Sequence, residues 1–477
     1  MERLSPAGSG FLSIETPTQP STVVYLAELT PGIGADGLPA PLTMAQFRSH
    51  VADRLDILPA FRRNIAHVPG GIHHPLWYDD PSFDIDNHLR HIELEEPGKP
   101  AQVDREMARI AELLHDRSHP LWQIFLVDGL EGGRQALIFW FHHAMIGDSA
   151  AITTLKRLLN DVEKGKIPGE WWRPEHPRKL LLLLNALRDQ ARQWCHLPGL
   201  LWKTIRRVRA LQEHRRHAAI RVPLPVIDTP DCSLNHGFSA KRRYTRLSVP
   251  IADVRFVKDV AGVTLNDVAL AMTATAVRNY LLAKHDLPDR PLTVNIPVSS
   301  EPPDAPEHQS GNHFTNFLSS LATDIEDPWE RLEAISRVTR EGKEQLQILG
   351  LTLYSDLLEY AMPLIAAPAM RQWGRTRKKK SKFEFNVLLS NVRGPSAPWS
   401  FGTTKVDRVY LSGPTAEGGC LNLTVWSYGD QLPIGILTEG DAIPDPEKLA
   451  TGMVDALAEM VGIAKSKADD KGQGAFS

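Results

Sequence analysis

Two pairs of adjacent histidines are the residues of this chain best suited to acid–base chemistry, His73-His74 and His142-His143. An aspartate follows the first histidine of each pair by six residues, so this spacing does not separate them. Their surroundings do, because the first pair lies among turn residues whereas the second ends the apolar run 136–141. The end of a buried strand, before a glycine and an amphipathic helix, is a typical position for a general base. His142-His143 is therefore the candidate catalytic pair.

The strand that carries this pair indicates which imidazole reaches a cleft. Neighbouring side chains of an extended strand point to opposite faces, so His143 shares a face with Phe139 and Phe141, whereas His142 shares one with Trp140. Only one of the two histidines is expected to serve a given cleft. The alternative is purely structural, with one hydrogen-bonded core histidine and one packing histidine. The sequence places no third ligand beside the pair, so we predict no metal site.

A second polar pair, Asn266-Asp267, follows Thr264, which is predicted to be the N-cap of a helix over 265–282. On residue types alone, Asn266 needs no chemical role: it can tie domains together, while the helix dipole favours Asp267 in the first turn.

Composition and motifs exclude several classes of protein. Lys and Arg number 54 against 57 Asp and Glu, a net charge of -3, so we expect no nucleic-acid partner. The cysteines Cys195, Cys232 and Cys420 are far apart and form no CxxC pair, which fits a reducing cytoplasm. No GxSxG or Walker A string occurs, and the weak dinucleotide-like string at 32–37 is interpreted as a turn. We predict no secretory leader and no membrane-spanning helix, since the longest aliphatic run is 180–184.

Alternating β-rich runs and amphipathic helices predict an α/β fold with four segments. These are an N-terminal domain at 1-172, a basic helical connector at 173-240, a second α/β domain at 241-464 and a disordered tail at 465-477. Residues 173–222 carry 12 Lys and Arg against 3 Asp and Glu. The connector is predicted either to lie on an anionic membrane surface as an amphipathic helix or to form a helical hairpin packed on its own protein.

Short motifs along the chain occur in the order of a known family. They are Ser5-Pro6 with Glu15-Thr16, Pro120-Leu-Trp122, His142-His143, Asn266-Asp267, Gly311-Asn312, Ser390-Asn391-Val-Arg-Gly394-Pro395 and Leu421-Asn-Leu-Thr-Val-Trp-Ser-Tyr428. With them the chain resembles, almost end to end, the bacterial wax ester synthase/diacylglycerol acyltransferase family of the HHxxxDG acyltransferase superfamily.

This resemblance implies two chloramphenicol-acetyltransferase-like α/β domains with an active-site channel at their interface. His143 would be the general base that deprotonates an acceptor hydroxyl as it attacks an acyl thioester, with His142 in a supporting role. Asn266 would lie near the site, where it is a candidate for a polar or oxyanion-stabilising role. Asn391 and Gly394 would shape a backbone turn. The implied substrates are a long-chain acyl-CoA and either diacylglycerol or a long-chain fatty alcohol. No cofactor is implied. The expected location is the cytoplasm, peripheral to the inner membrane face or to lipid droplets.

The chain departs from the family pattern at Gly147-Asp148, where the pattern has aspartate before glycine. The family's aspartate organises the site through a salt bridge with an arginine, so the exchange affects geometry more than reactivity. We expect catalysis to survive because His143 stays in place. Two alternatives stay open: another hydroxyl acceptor such as a polyketide, and a catalytically impaired lipid-surface binding protein. The latter would use the connector and the basic residues at 375–382.

Overall fold

The computed structural model of the protein describes residues 1–160, 176–299, 314–380 and 382–474. The helices are α1 Pro6–Ile14, α2 Met44–Ala52, α3 Pro100–Ala111, α4 Asp148–Leu159, α5 Lys179–His217, α6 Ile251–Ala261, α7 Leu265–Ala283, α8 Pro328–Leu349, α9 Leu353–Leu358, α10 Pro363–Lys380 and α11 Glu447–Gly474. The strands are β1 Glu2–Arg3, β2 Thr22–Thr30, β3 Gly32–Ile33, β4 Pro39–Ala40, β5 Arg63–Ala66, β6 Leu76–Asp79, β7 Leu89–Glu93, β8 Trp122–Leu130, β9 Arg134–His142, β10 Arg242–Pro250, β11 Thr293–Ser299, β12 Phe314–Ser320, β13 Val387–Val392, β14 Ser400–Phe401, β15 Thr404–Ser412, β16 Leu421–Trp426 and β17 Gln431–Glu439. The predicted boundary at 172 and the motif Gly311-Asn312 lie outside the described residues.

Two six-stranded sheets organise the molecule, and the predicted α/β class with two domains is confirmed. One sheet has the order β14-β15-β2-β9-β8-β7, and the other has the order β10-β17-β16-β13-β11-β12. Both sheets are mixed, since β7 pairs in parallel with β8, and β13 pairs in parallel with both β11 and β16.

The strand β9 is buried on both faces, as its apolar run predicts. Phe139 and Phe141 pack with the helices on one face of the sheet, whereas Ile138 and Trp140 pack in a separate cluster on the other. Successive side chains therefore alternate between the two faces of the sheet, as in any pleated strand. His142 at the end of β9 and His143 directly after it lie in different surroundings for the same reason.

The first sheet contains a strand from the far end of the chain. Strand β15 pairs antiparallel with β2 from Lys405↔Thr30 to Ser412↔Val24, and β14 pairs with β15 at the edge. The predicted domain at 241-464 therefore differs from the structure at these strands, which complete the N-terminal sheet. Sequence pattern predicts strands but not their partners, because pairing between distant segments leaves no local signal.

The connector contains one helix of 39 residues, α5, with Pro198 inside it. Leu182 and Ala186 are its buried residues, while most of its leucines and tryptophans are exposed. The structure has a single helix in place of the predicted hairpin, and the C-terminal part of this helix packs on α8 through the contacts of His214 with Glu341 and of Arg215 with Gln345.

The helix α11 continues to Gly474 and so includes residues 465–474 of the predicted disordered tail at 465-477, whereas 475–477 lie outside the described residues. Lys467 Nζ lies 5.3 Å from the centroid of the Trp329 ring, and this contact holds the end of α11 against α8.

Buried charges join the two halves beside the sheets. Arg246 of β10 donates to Glu28 of β2 over 3.0 Å and also to Asp104 of α3. All three side chains are largely buried, so the contact fixes the halves relative to each other.

No single helix in the described part of the chain has the length and apolar composition of a membrane span. The helices α6 and α7, bent by 102° relative to each other, meet that composition only as a pair.

Candidate active site

His143 follows the last residue of β9, and its backbone and ring are both held. Its backbone N–H donates to the Ser21 carbonyl over 2.7 Å, which extends the pairing of β9 with β2 by one residue. Its Nδ1 lies 3.2 Å from the Ile146 carbonyl oxygen. A carbonyl can only accept, so Nδ1 carries the hydrogen and Nε2 is the basic nitrogen of the neutral ring.

Apolar surroundings keep this ring uncharged. The centroid of the Phe11 ring lies 4.2 Å from that of His143. Burial lowers the pKa of His143 to about 4, despite the opposing hydrogen bond to Ile146. The imidazole is therefore neutral at pH 7 and can accept a proton.

A cavity of about 640 Å³ lies between the two sheets, beside His143. This volume is in the range of about 300–1,000 Å³ that is typical of small-molecule sites. Four of the predicted site residues line it: His143, Gly147, Asn266 and Asn391. They come from both halves of the chain, so the cavity lies at the interface between the predicted domains.

Asn266 and Asn391 meet across this cavity wall. The Asn391 Nδ2 donates to the Asn266 Oδ1 over 3.2 Å. Asn266 is the second residue of α7, whose predicted N-cap Thr264 is confirmed by a capping box with Asp267. The contact with Asn391 orients the Asn266 amide so that its Nδ2 hydrogens remain available as donors.

Asp267 lies on the other side of the α7 N-terminus and does not line the cavity. Its carboxylate accepts from Thr264 N–H over 2.9 Å and from Thr339 Oγ1 over 2.6 Å. Ser336 Oγ also donates to it over 3.2 Å. Asp267 therefore completes the capping box of Thr264 and ties α7 to α8.

Gly394 shapes the turn after β13. Its N–H donates to Ser427 Oγ over 3.0 Å. A Cβ at this position would lie 1.8 Å from the Ser427 carbonyl oxygen, so the two segments approach as closely as they do only because residue 394 is glycine. The preceding Arg393 is exposed and lines the cavity.

His142 is buried on the opposite face and contacts a carboxylate that the sequence did not assign. Its Nδ1 accepts from the Ala144 N–H over 3.0 Å, so its hydrogen is on Nε2, which lies 3.3 Å from Glu15 Oε1. Glu15 also accepts from Arg117 Nη2 over 2.7 Å. Burial raises the pKa of Glu15, but the contacts with His142 and Arg117 outweigh this and lower it to about 2.

Glu15 was missed as a site residue although it belongs to one of the quoted motifs. It is the C-cap of α1, and its Oε1 accepts from the Ser21 N–H over 3.1 Å. The ionised Glu15 therefore fastens the segment that carries Phe11 to the strand end that carries His143. Its place in a family motif was the one sequence signal for a role at the site. The residue it contacts, His142, is far along the chain, so the sequence did not reveal the contact.

The exchanged pair Gly147-Asp148 lies at the start of α4. Gly147 is the N-cap, and its carbonyl accepts from the Ala151 N–H over 2.8 Å, so Asp148 is the first helical residue. The side chain of Asp148 lies outside what the structure describes.

The second histidine pair is in another part of the molecule. His74 Nε2 lies 3.2 Å from the Leu358 carbonyl oxygen, and neither His73 nor His74 lines the cavity. Within the described ranges, one group of three metal-ligating side chains occurs, His214, Glu341 and Glu344, and none of these three lines the cavity either.

Comparison with known proteins identifies the family. The model of the wax ester synthase/diacylglycerol acyltransferase catalytic domain matches residues 4–269, and that of the family's C-terminal domain matches residues 310–461. The chain belongs to the wax ester synthase/diacylglycerol acyltransferase family. The resemblance inferred from the motifs is thereby confirmed.

Relatives of this family match along almost the whole chain. Two proteins of Mycobacterium tuberculosis that carry the name diacylglycerol O-acyltransferase are each 31% identical, one over 96% of both chains and the other over 99% of both.

Solved structures share the fold at lower identity. The wax ester synthase/diacylglycerol acyltransferase of Marinobacter aquaeolei is 24% identical with a TM-score of 0.67, covering 97% of this chain and 100% of that one. The starter condensation domain of rhizomide synthetase is 14% identical with a TM-score of 0.55, covering 97% of this chain and 94% of that one. These likenesses concern the fold.

Proposed function

We propose that this chain is an O-acyltransferase that transfers a long-chain acyl group from acyl-CoA to diacylglycerol, to a long-chain fatty alcohol, or to both. One observation carries the proposal. A neutral His143, tethered through Nδ1, borders an interface cavity that it shares with Asn266. The names carried by the mycobacterial relatives support the choice of reaction and acceptor.

The proposed reaction is a direct transfer. His143 Nε2 takes the proton of the acceptor hydroxyl while the oxygen attacks the carbonyl carbon of the thioester. The tetrahedral intermediate carries its negative charge on the former carbonyl oxygen, to which the Asn266 Nδ2 donates. Collapse of the intermediate breaks the carbon–sulfur bond and forms the ester. The imidazolium returns its proton to the departing sulfur, which leaves as the CoA thiol, and the neutral ring is restored.

Residues outside the reacting centre have positioning roles in this proposal. Glu15 holds His142 and the α1 segment, while Gly147 begins α4 beside the cavity. His143 keeps its tautomer through Ile146 and lines the cavity. This placement of the base is the reason to expect catalysis despite the Gly147-Asp148 exchange. No step uses a metal or a redox cofactor.

A membrane or lipid-droplet surface is the proposed location of the enzyme, through α5. Apolar residues recur along one side of this helix at every third or fourth position, and Ala191 and Pro198 occupy two of these positions. The other seven side chains are 37–67% exposed: Leu180, Leu184, Leu187, Trp194, Leu201, Ile205 and Val208. We call these residues the α5 stripe. The helix carries nine Lys and Arg but two acidic residues. A second copy packed on the stripe would bring these cations together, whereas an anionic lipid surface at the cytoplasmic membrane face or a lipid droplet would attract them.

The catalytic proposal is tested by thiol release from palmitoyl-CoA, with dioleoylglycerol or hexadecanol as acceptor. We expect acceptor-dependent release by the wild type and a loss of at least a hundredfold in His143→Ala. The control is His91→Ala, which removes an exposed histidine bonded to Asp128 and should leave the rate unchanged. Circular dichroism checks that all three proteins fold. No release from folded wild type with either acceptor would contradict the proposal and direct the search to another hydroxyl acceptor or to a non-catalytic lipid binder.

The surface proposal is tested separately by flotation with vesicles. Wild type should float with phosphatidylglycerol vesicles, and the double variant Leu184→Asp with Trp194→Asp should float several-fold less. Equal flotation of the two proteins would contradict the role of the α5 stripe.

A further inference from the structure

The cavity opens to the surface at Tyr354 of α9. This side chain lines the cavity and is 53% exposed, so the wall and the outer surface meet there. Glu384, which precedes β13, lines the same end, and its charge contributes to the raised pKa of Tyr354 after the larger effect of burial. We call this opening the Tyr354 mouth.

Exposed apolar side chains occur on α9, which carries Tyr354, and on the next helix, α10. Leu357 is 39% exposed, and Leu364, Ile365 and Trp373 are each 57–60% exposed. A grouping of this kind on adjoining helices marks a surface that contacts an apolar partner.

This apolar grouping continues into the α5 stripe. The hydroxyl of Tyr360, between α9 and α10, donates to the Gln193 carbonyl of α5 over 3.0 Å. The next residue of α5, Trp194, is 60% exposed and borders the same small crevice as Tyr360 and Met362. The surface proposed to contact lipid therefore extends to the rim of the cavity.

Aromatic side chains line the path from the rim inward. Phe314 and Phe11 both line the cavity, and their ring centroids are 6.2 Å apart. Phe11 in turn contacts the His143 ring. An apolar molecule that enters at Tyr354 can thus reach the basic nitrogen along an apolar wall.

The far end of the cavity carries a cation, and a second exposed cation, Lys343 of α8, also lines the cavity. Strand β13 runs along the wall through Leu388, Ser390 and Val392, and the exposed Arg393 follows it. The six residues of β13 span about 16 Å, which separates Arg393 from the start of the strand near Glu384. A cation suits the phosphates of CoA.

We propose that the acyl acceptor, a neutral lipid alcohol, passes from the lipid phase through the Tyr354 mouth to His143 without crossing bulk water. This inference rests on the proposed acyltransferase function and adds the route of one substrate. The acyl-CoA then approaches from the aqueous side, at the Arg393 end.

The test compares an acceptor held in vesicles with one dissolved in water. The double variant Leu357→Asp with Leu364→Asp places two charges on the rim without changing the cavity wall. With excess vesicles that bind wild type and variant equally, CoA release with vesicle-borne dioleoylglycerol should fall at least tenfold, while release with dissolved 1-hexanol stays within about twofold. The matched control is Val454→Asp on α11, an exposed position away from the mouth, which should change neither rate. An unchanged vesicle rate, or an equal fall with both acceptors, would overturn the proposal.

A second measurement does not need turnover. A diacylglycerol with a photoreactive group in its acyl chain, carried in vesicles, should cross-link to peptides that contain Tyr354 or Phe11. Cross-linking confined to other segments would overturn the proposed route. If wild type releases CoA with neither acceptor, the proposed function fails, and the cross-linking pattern still decides whether lipid enters at Tyr354.

Discussion

Acidification should leave this enzyme active at a pH where an ordinary histidine base is protonated. The pKa of His143 is about 4, against 6.5 for an unperturbed imidazole, which corresponds to about 3 kcal/mol in favour of the neutral ring. At pH 5 about nine-tenths of the enzyme should therefore hold a neutral His143. With a pKa of 6.5, about 3% would be neutral at pH 5.

The assay is the pH profile of kcat/KM, because this ratio reports the pKa values of the free enzyme. Relative to pH 7.5, the value at pH 5 should be about 0.9 if burial of His143 controls its charge, and about 0.03 if it does not. Palmitoyl-pantetheine replaces palmitoyl-CoA in a parallel series, since a phosphate monoester titrates near pH 6 and would add its own inflection. Tryptophan fluorescence at each pH checks that the protein stays folded. An inflection near pH 6.5 with both thioesters, in folded protein, would refute the reasoning.

Three further predictions concern the residues around His143. Glu15→Gln should lower the urea midpoint and flatten its pH dependence. In the wild type the pKa of Glu15 is lowered to about 2, so the ionised group contributes about 3 kcal/mol to the free energy of unfolding above pH 5, and this contribution is lost as the pH falls toward 2. Identical curves of urea midpoint against pH for the two proteins would contradict this. Asn266→Ala should lower kcat by about ten- to a hundredfold, as loss of an oxyanion donor does, with a small change in KM; an unchanged kcat would show that this amide only joins α7 to β13. Asp267→Ala should cost about 1 to 3 kcal/mol of stability because it removes the carboxylate half of the α7 capping box and the buried acceptor shared by Thr339 and Ser336, yet acyl transfer by the folded fraction should be near normal. Calorimetry and the thiol assay separate these two effects.

Local patterns were sufficient for the elements that position the base. The apolar run before His142 predicts a strand buried on both faces, and Thr264 predicts the start of α7. Both features depend on residues within a few positions of each other. The alternation of a strand also predicts that His142 and His143 serve different surroundings, and the structure places them accordingly.

Contacts between distant segments were beyond the reach of the pattern. Glu15 contacts His142, and Asn266 contacts Asn391. Each pair is more than a hundred residues apart in the chain, and no periodic pattern in a single sequence predicts contacts at that distance. The connector shows the converse case. Its apolar residues predict a face that needs covering, but only the structure shows that α5 leaves this face uncovered.

The insertion of β15 beside β2 has a consequence for biosynthesis. A ribosome that adds about 5–20 residues per second needs about 20 to 75 seconds to pass from the end of β2 to the start of β15. During this interval β2 is an open edge whose backbone groups can pair with any other extended chain. The nascent first half of the chain therefore passes through an aggregation-prone stage. The rate of translation sets how long this stage lasts.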